Sequence, residues 1–269
     1  MGADIKALRT RIKSVDSTLH LTTAMGFVAS SKIRRATEAM NKSRRYSKAV
    51  SDVLDRLTSN TECRKSPYIK GNAGDKVKLI VIAGDRGLAG GYNANVFRLA
   101  RTFTNAEFVP IGKRACERFG SGFMSSEYFT LADGAQLSRE LCREFCEGEY
   151  SKLGIIYTKS VSVMTQEAAV MWILPLDAKK NESTVGTIIE PDELTVLNAA
   201  VPEYLAGKLM GCIRESFCAE VLARRMAMDS AGKNARAMID DLQLQYNRAR
   251  QGAITQEITE IVAGAGEDN

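Results

Sequence analysis

Residues 5–36 read IKALRTRIKSVDSTLHLTTAMGFVASSKIRRA, and their apolar or small positions recur at alternating spacings of three and four. The same alternation continues without a break as far as Leu57. It is the heptad seam of a coiled coil, because a slightly underwound helix keeps such a stripe facing one partner. The seam consists of Ile5, Leu8, Ile12, Val15, Leu19, Thr22, Gly26, Ala29, Ile33, Ala36, Met40, Ser43, Ser47, Val50, Leu54 and Leu57. The sequence therefore predicts one long coiled-coil helix over residues 1–58.

The C-terminal part of the chain predicts a second long helix. From about Glu203 to the terminus there is no proline, and apolar or small residues again recur at helical spacing. These residues are Ile239, Leu242, Tyr246, Ala249 and Ala253. A heptad seam requires a partner, and the nearest candidate is the opposite end of the same chain. We therefore expect a C-terminal coiled-coil helix over residues 203–269 that pairs with the N-terminal one to form a shaft.

Composition limits the classes of protein to which the chain can belong. It has 269 residues, of which 45% are hydrophobic, as in ordinary soluble globular proteins. No apolar run approaches the roughly 20 residues that cross a bilayer. The heptad pattern begins in the first turn and contains Asp4 and Asp16, so we expect no signal peptide and no transit peptide.

The six cysteines do not predict a metal site or a disulfide framework. Cys142 and Cys146 lie four residues apart and could supply half of a metal site. The other half is missing, because the single histidine, His20, is far away in sequence and is expected on an exposed flank of the first helix. We expect reduced thiols and no bound metal.

Positive charge is concentrated on the first helix. Residues 1–57 carry 12 Lys and Arg against 5 Asp and Glu, whereas the whole chain has a net charge of only +5. The excess forms a basic belt that consists of Lys32, Arg34, Arg35, Lys42, Arg44, Arg45 and Lys48. Such a belt can be a solvated helix face. It can also bind an acidic partner, either nucleic acid or an acidic protein loop, and charge alone does not distinguish these possibilities.

The middle of the chain predicts an α/β domain over residues 75–195. Four apolar runs have the length of strands, and two amphipathic stretches have the length of helices. The predicted strands are 77–83, 106–111, 153–158 and 168–176, and the predicted helices are 93–103 and 135–147. Strands that alternate with helices indicate a mainly parallel sheet. We interpret residues 59–76 as the entry linker and residues 175–202, which contain three prolines, as the exit.

A glycine-rich turn, GDRGLAGGYN at residues 84–93, follows the first predicted strand. Phosphate-binding loops occupy this position in many α/β proteins. The turn matches neither G-x-G-x-x-G nor G-x-x-x-x-G-K-[ST], so a local structural role for Asp85 and Arg86 is the preferred interpretation. No nucleophile, base and oxyanion donor can be combined into a catalytic set, and we expect neither a catalytic residue nor a cofactor.

Three segments together resemble the γ subunit of F-type ATP synthase. They are residues 5–36, the loop GDRGLAGGYNANVF and the ending IDDLQLQYNRARQGAITQEITEIVAGA at residues 239–265. The resemblance spans essentially the whole chain. It implies an antiparallel coiled coil with a Rossmann-like domain at its base. It also implies a non-catalytic rotor that turns inside a ring of three α and three β subunits and couples the flow of H⁺ or Na⁺ across a membrane to ATP synthesis.

The resemblance also implies partners and contact residues. The partners are the α and β subunits, the ε subunit and the c-ring, with no nucleic acid. The chain would lie at the cytoplasmic face of a bacterial plasma membrane, attached peripherally through the complex. The residues implied to contact the β subunits are Arg250 and Gln251 in NRARQ, Met25 in TTAMGFVAS, Thr255 and Glu257 in ITQEI, and Lys32, Arg34 and Arg35 in the basic belt.

The chain departs from the usual family sequence near Met25. His20 and Thr23 stand where lysines are frequent, and Gly26 stands where a longer side chain is usual. These differences concern the electrostatics around Met25 rather than the fold. If the family resemblance is set aside, the charge and heptad patterns leave an alternative open, namely a basic coiled-coil protein that binds nucleic acid or acts as a scaffold.

Overall fold

The structure, a computed structural model, describes residues 2–177 and 189–266. The chain divides into two compact units, one formed by Met1–Ala29 and Arg225–Asn269 and the other by Ser30–Arg224. In chain order the elements are α1 (Gly2–Thr58), a 3₁₀ turn (Glu62–Lys65), α2 (Pro67–Lys70), β1 (Val77–Ile82), α3 (Tyr92–Ala100), β2 (Ala106–Ile111), α4 (Lys113–Phe119), α5 (Leu131–Cys146), β3 (Lys152–Ser160), β4 (Gln166–Leu174) and α6 (Glu193–Gly266). Among these elements, no helix combines the length and apolar character needed to cross a bilayer.

The predicted heptad seam is confirmed by the burial of α1. All sixteen seam positions from Ile5 to Leu57 are buried or half-buried. Within the first unit, a Cβ built on Gly232 would lie 3.8 Å from both Leu19 Cδ1 and Thr22 Oγ1. Small residues at the seam let two helix backbones approach closely, which explains why the stripe contains glycine, alanine and threonine.

The second unit repeats the same packing between α1 and α6. A Cβ on Gly211 would lie 3.5 Å from Ser47 Cβ, and one on Gly207 would lie 3.9 Å from Val50 Cγ2. As the residue number rises along α1 it falls along α6, so the two helices run antiparallel here. The predicted fold has two long antiparallel helices, one before and one after the α/β domain in the sequence, and it is therefore correct.

The sheet lies in the second unit and has the strand order β2-β1-β3-β4. β1 pairs in parallel with both β2 and β3, whereas β4 is antiparallel to β3. The predicted mainly parallel sheet is correct, with an antiparallel edge strand. β4 is antiparallel because only residues 161–165 separate it from β3, and a parallel pairing needs a crossover of a dozen or more residues. Elements pack on both faces of β1, and its residues 78–82 are all buried.

We expected the entry segment 59–76 to be a linker, but it folds into helical turns. It contains the 3₁₀ turn and α2, and Cys63 and Tyr68 are buried in the main core. Ser66 caps α2 by accepting a hydrogen bond from the Tyr68 N–H, and Pro67 occupies the first helical position. A serine followed by proline is a helix-start signal that also occurs in loops, and here it begins a helix. The sequence likewise did not predict α4.

The second long helix begins ten residues before the expected start. Asp192 caps α6 by accepting a 2.8 Å hydrogen bond from the Thr195 N–H, so Pro202 lies inside the helix rather than in an exit loop. Proline removes one helical hydrogen bond. Leu197, Val201 and Leu205 are fully buried on either side of it, and tertiary packing of this face stabilises the helix. The rest of the predicted exit loop, at residues 178–188, lies outside the described residues.

The compact unit Ser30–Arg224 is wider than the predicted domain of residues 75–195. The reason is visible in the main core, where Leu54 and Leu57 of α1 and Leu205 and Leu209 of α6 join residues of the sheet. Parts of both long helices therefore belong to the hydrophobic core of the α/β unit.

Candidate partner-binding surfaces

The C-terminal part of α6 carries four of the residues implied to contact the β subunits. Arg250, Gln251, Thr255 and Glu257 are all exposed. Thr255 donates its hydroxyl to the Gln251 carbonyl at 2.9 Å, the usual satisfaction of a threonine inside a helix. The other three side chains project into solvent, where a partner can reach them. Their roles stay predictions.

The same part of α6 exposes an apolar stripe. Ile254, Ile258, Ile261 and Val262 are 44%, 56%, 70% and 67% exposed, respectively. Scattered surface hydrophobics are normal, but four large ones within nine residues of a single helix form a contiguous apolar surface. This part of α6 is therefore an exposed apolar surface.

Met25 is half-buried, and a cleft of about 200 Å³ lies in the same unit beside the next residue of α1. Gly26 forms part of this cleft, and a Cβ on it would lie 3.1 Å from Nη1 of Arg225. Arg225, Lys233 and Arg236 of α6 line the same cleft. Sequence reasoning missed these cations, because it counted charge along α1 and did not know which α6 residues face Gly26.

His20 lies on the exposed flank of α1, as expected, with its side chain 80% exposed and its Nε2 3.7 Å from Asp16 Oδ2. The positive charge at the cleft beside Gly26 comes from Arg225, Lys233 and Arg236 of α6.

The basic belt divides into residues that bind within the chain and residues that face solvent. Lys32 donates to Glu127 Oε1 at 2.6 Å, and Arg44 donates to Glu215 Oε1 at 2.7 Å. The hydrogen bond to Glu215 is the main reason why the pKa of Arg44 is raised. Arg34 and Arg35 are exposed, and Arg34 forms a 3.7 Å pair with Glu38 on its own helix. The belt is thus partly a structural clamp.

The glycine-rich turn is closed by a carboxylate from α6. A Cβ on Gly84 would lie 2.7 Å from Cδ of Glu220, so only glycine fits beneath this side chain. Arg224 donates to Glu220 Oε1 at 2.5 Å and to the Gly87 carbonyl at 3.2 Å. Burial raises the pKa of Glu220, and the Arg224 hydrogen bond partly offsets this shift. Glu220 thus occupies the space above the turn where a phosphate-binding loop would hold its ligand.

Asp85 has the local structural role that the sequence suggested. Its carboxylate accepts hydrogen bonds from the Ser125 hydroxyl at 2.6 Å, the Ser126 N–H at 2.8 Å and the Lys113 N–H at 3.2 Å. Burial acts to raise the pKa of Asp85, but these hydrogen bonds outweigh burial and leave it below its ordinary value. Asp85 therefore fastens the end of β1 to the start of α4 and to the segment that precedes α5.

The cysteines are unpaired thiols. Cys142 is buried and Cys146 is exposed, and burial raises the pKa of Cys142 to about 12. No cluster of three or more metal-ligating side chains occurs within residues 2–177 and 189–266.

Comparison with known proteins agrees with this arrangement. A family model described as ATP synthase matches residues 4–266. The chain is 39% identical to an ATP synthase gamma chain of Ruminococcus albus, with 99% of each chain covered. It is 34% identical to one of Clostridium perfringens, with 98% of each covered.

Solved structures show the same fold at low sequence identity. A chain of the Euglena gracilis mitochondrial ATP synthase superposes with a TM-score of 0.68 at 15% identity, covering 98% of this chain and 94% of that one. A chain of the Tetrahymena thermophila central stalk and c-ring gives 0.61 at 17% identity, covering 78% and 99%. This chain therefore belongs to the ATP synthase γ chain family and is a subunit of an ATP-synthesising, membrane-associated complex.

Proposed function

We propose that the chain couples transmembrane ion flow to ATP synthesis by rotating inside a ring of three α and three β subunits. The observation that carries this proposal is the C-terminal part of α6, which presents Arg250 and Gln251 next to an exposed apolar stripe. An apolar stripe can turn against an apolar sleeve with little electrostatic resistance of its own. Arg250 supplies a planar set of donors that suits a carboxylate on one subunit of the ring at a time.

We propose that the chain itself performs no chemistry. The segment most similar to a phosphate-binding loop is filled by the buried Glu220 and Arg224 pair. A phosphate group would have to displace this carboxylate and would then meet its negative charge. The contribution of the chain is therefore mechanical, and nucleotides bind to other subunits of the complex.

The surfaces suggest how the partners are distributed. We assign Arg250, Gln251, Thr255 and Glu257 to contacts with β subunits. Met25 and the cationic cleft beside Gly26 form a second contact, which fits an acidic loop because Arg225, Lys233 and Arg236 outnumber the single carboxylate of Asp229 there.

In the basic belt, we assign Arg34 and Arg35 to the acidic loops of the β subunits, because both side chains are exposed. Lys32 can join them only by leaving Glu127. The ε subunit and the c-ring are the remaining proposed partners. We place the complex at the cytoplasmic face of a bacterial plasma membrane, because the most similar relatives described above are bacterial proteins.

The test uses the purified complex that contains this chain, reconstituted into vesicles. We expect the Arg250→Ala variant to assemble normally and to lose roughly tenfold in ion-driven ATP synthesis, the factor that corresponds to one charge-assisted hydrogen bond. Arg248→Ala is the matched control, because Arg248 is an exposed arginine two residues away on the same helix. Equal activity of the two variants would refute the role of Arg250. Absence of the chain from the purified complex would refute the function.

A further inference from the structure

A cavity of about 300 Å³ lies within the unit Ser30–Arg224, and the rotor function does not use it. Its walls come from about two turns of α1, about two turns of α6 and the edge strand β4. A volume of this size is at the lower end of the range for small-molecule sites. The lining residues used in the following argument are Arg44, Lys48, Met171, Lys208, Cys212 and Glu215.

Two positive charges of the cavity, Lys48 and Lys208, form no ion pair with a carboxylate of residues 2–177 and 189–266. Among the described residues that line it, Glu215 alone is acidic, and it accepts hydrogen bonds from Arg44 at 2.7 Å and from the Ser160 N–H at 3.1 Å. Glu215 and Arg44 therefore compensate each other. Among the described residues, no carboxylate lies within ion-pair distance of Lys48 or Lys208. The Lys208 ammonium instead lies 5.4 Å from the centre of the Tyr204 ring.

The surroundings of these ammonium groups strengthen their attraction for an anion. Met171 and the buried Cys212 provide an apolar floor. Burial raises the pKa of Cys212, so its thiol adds no negative charge to the site. A charge in front of apolar walls interacts more strongly than one in open water, because water screens it less.

We propose that this cavity binds a small phosphate-bearing anion, with a diphosphate group as the best match to the two uncompensated lysines. Lys48 comes from α1 and Lys208 from α6, so one bound anion would connect the two long helices within this unit. Lysine is a common phosphate ligand that acts as a point charge, and the fixed guanidinium of Arg44 at the same cavity offers further donors. This inference does not depend on rotation or on the contacts with β subunits.

The test uses the isolated full-length chain and inorganic pyrophosphate. Binding is measured by calorimetric titration, and thermal unfolding is followed by circular dichroism with and without millimolar pyrophosphate. A ligand that binds only the folded state raises the unfolding temperature by mass action. We expect saturable binding and a higher unfolding temperature in the unmodified chain.

Lys48→Gln and Lys208→Gln should each weaken pyrophosphate binding by about tenfold or more and remove most of the thermal shift. Neither side chain is buried, so both variants should fold, which the circular dichroism spectrum checks. Lys42→Gln is the control, because it removes an exposed lysine from α1 outside the cavity. The proposal is overturned if the unmodified chain does not bind pyrophosphate, or if Lys42→Gln weakens binding as much as the two cavity variants.

Discussion

Replacing Gly84 by alanine tests the closure of the glycine-rich turn. The added Cβ would lie 2.7 Å from Cδ of Glu220 and 2.9 Å from both of its carboxylate oxygens, closer than real Cβ atoms approach. The carboxylate cannot withdraw freely, because Arg224 holds it and the two side chains are only 5% and 13% exposed. Overpacking of a well-packed site costs about 1–3 kcal/mol, and disruption of a buried ion pair costs about 3–5 kcal/mol. We therefore expect Gly84→Ala to lower the free energy of unfolding by about 3 kcal/mol.

The measurement is equilibrium urea unfolding of the full-length chain, followed by circular dichroism. Gly91→Ala is the matched control in the same turn. The backbone φ of Gly91 is −81°, which alanine adopts readily, and the nearest atom to its added Cβ would be 3.6 Å away. This control should change the free energy of unfolding by less than about 0.5 kcal/mol. The variants share one unfolded state to a good approximation, so the difference between them reports the contact with Glu220.

A double-mutant cycle isolates that contact. Glu220→Ala removes the carboxylate with which the new methyl group collides, so the clash disappears in the double variant. We expect Gly84→Ala and Glu220→Ala together to destabilise the chain by about 1–3 kcal/mol less than the sum of the single effects. The reasoning fails if the two effects add, or if Gly84→Ala and Gly91→Ala have the same stability.

The remaining predictions concern two polar interactions of the second unit, the Lys32–Glu127 ion pair and the hydrogen bonds of Asp85. Lys32→Ala should lower the free energy of unfolding by about 1 kcal/mol, because it removes the partly exposed ion pair with Glu127. Arg35→Ala, on the exposed face of α1, should lower it by less than half of that. Equal effects of the two variants in urea unfolding would contradict the structural role of Lys32. Because the pKa of Asp85 is lowered in the folded state from its ordinary 3.8, its stabilising contribution is complete above pH 3.8 and is lost as the pH falls through the lowered value. Asp85→Asn should therefore lower stability at neutral pH by about 1–3 kcal/mol and flatten the acid limb of the profile of stability against pH; a parallel profile would refute this role.

Much of the fold could be predicted from the sequence, because periodicity is local information. The sixteen seam positions of α1 and the four strands could be read from spacings within a few residues, and β2 has the bounds expected for it. The errors occurred where local signals conflicted with long-range packing. Pro202 looked like the end of a loop, yet Leu197 and Leu205 are fully buried on either side of it and keep the backbone helical.

The candidate site could be predicted only in part, for the same physical reason. The exposed α6 residues Arg250 and Gln251 follow from the family resemblance and the helical pattern alone. The sequence does not predict which carboxylates pair with the basic belt, because the paired residues are far apart in the chain. Lys32 and Glu127 are 95 residues apart, and Arg44 and Glu215 are 171 apart. A charge count cannot show which cations are already paired.

By itself, the sequence determined the two long helices, the mainly parallel sheet and the family of this protein. Each of these depends on patterns among residues that lie close together in the sequence. Only the tertiary structure decided that the Glu220 carboxylate lies against Gly84 and that the Arg225 guanidinium lies against Gly26 of α1. It also decided that Lys32 and Arg44 of the basic belt bind carboxylates that are distant in the sequence. These are encounters between residues far apart in the chain, and their geometry depends on how the helices and the sheet pack rather than on any local pattern.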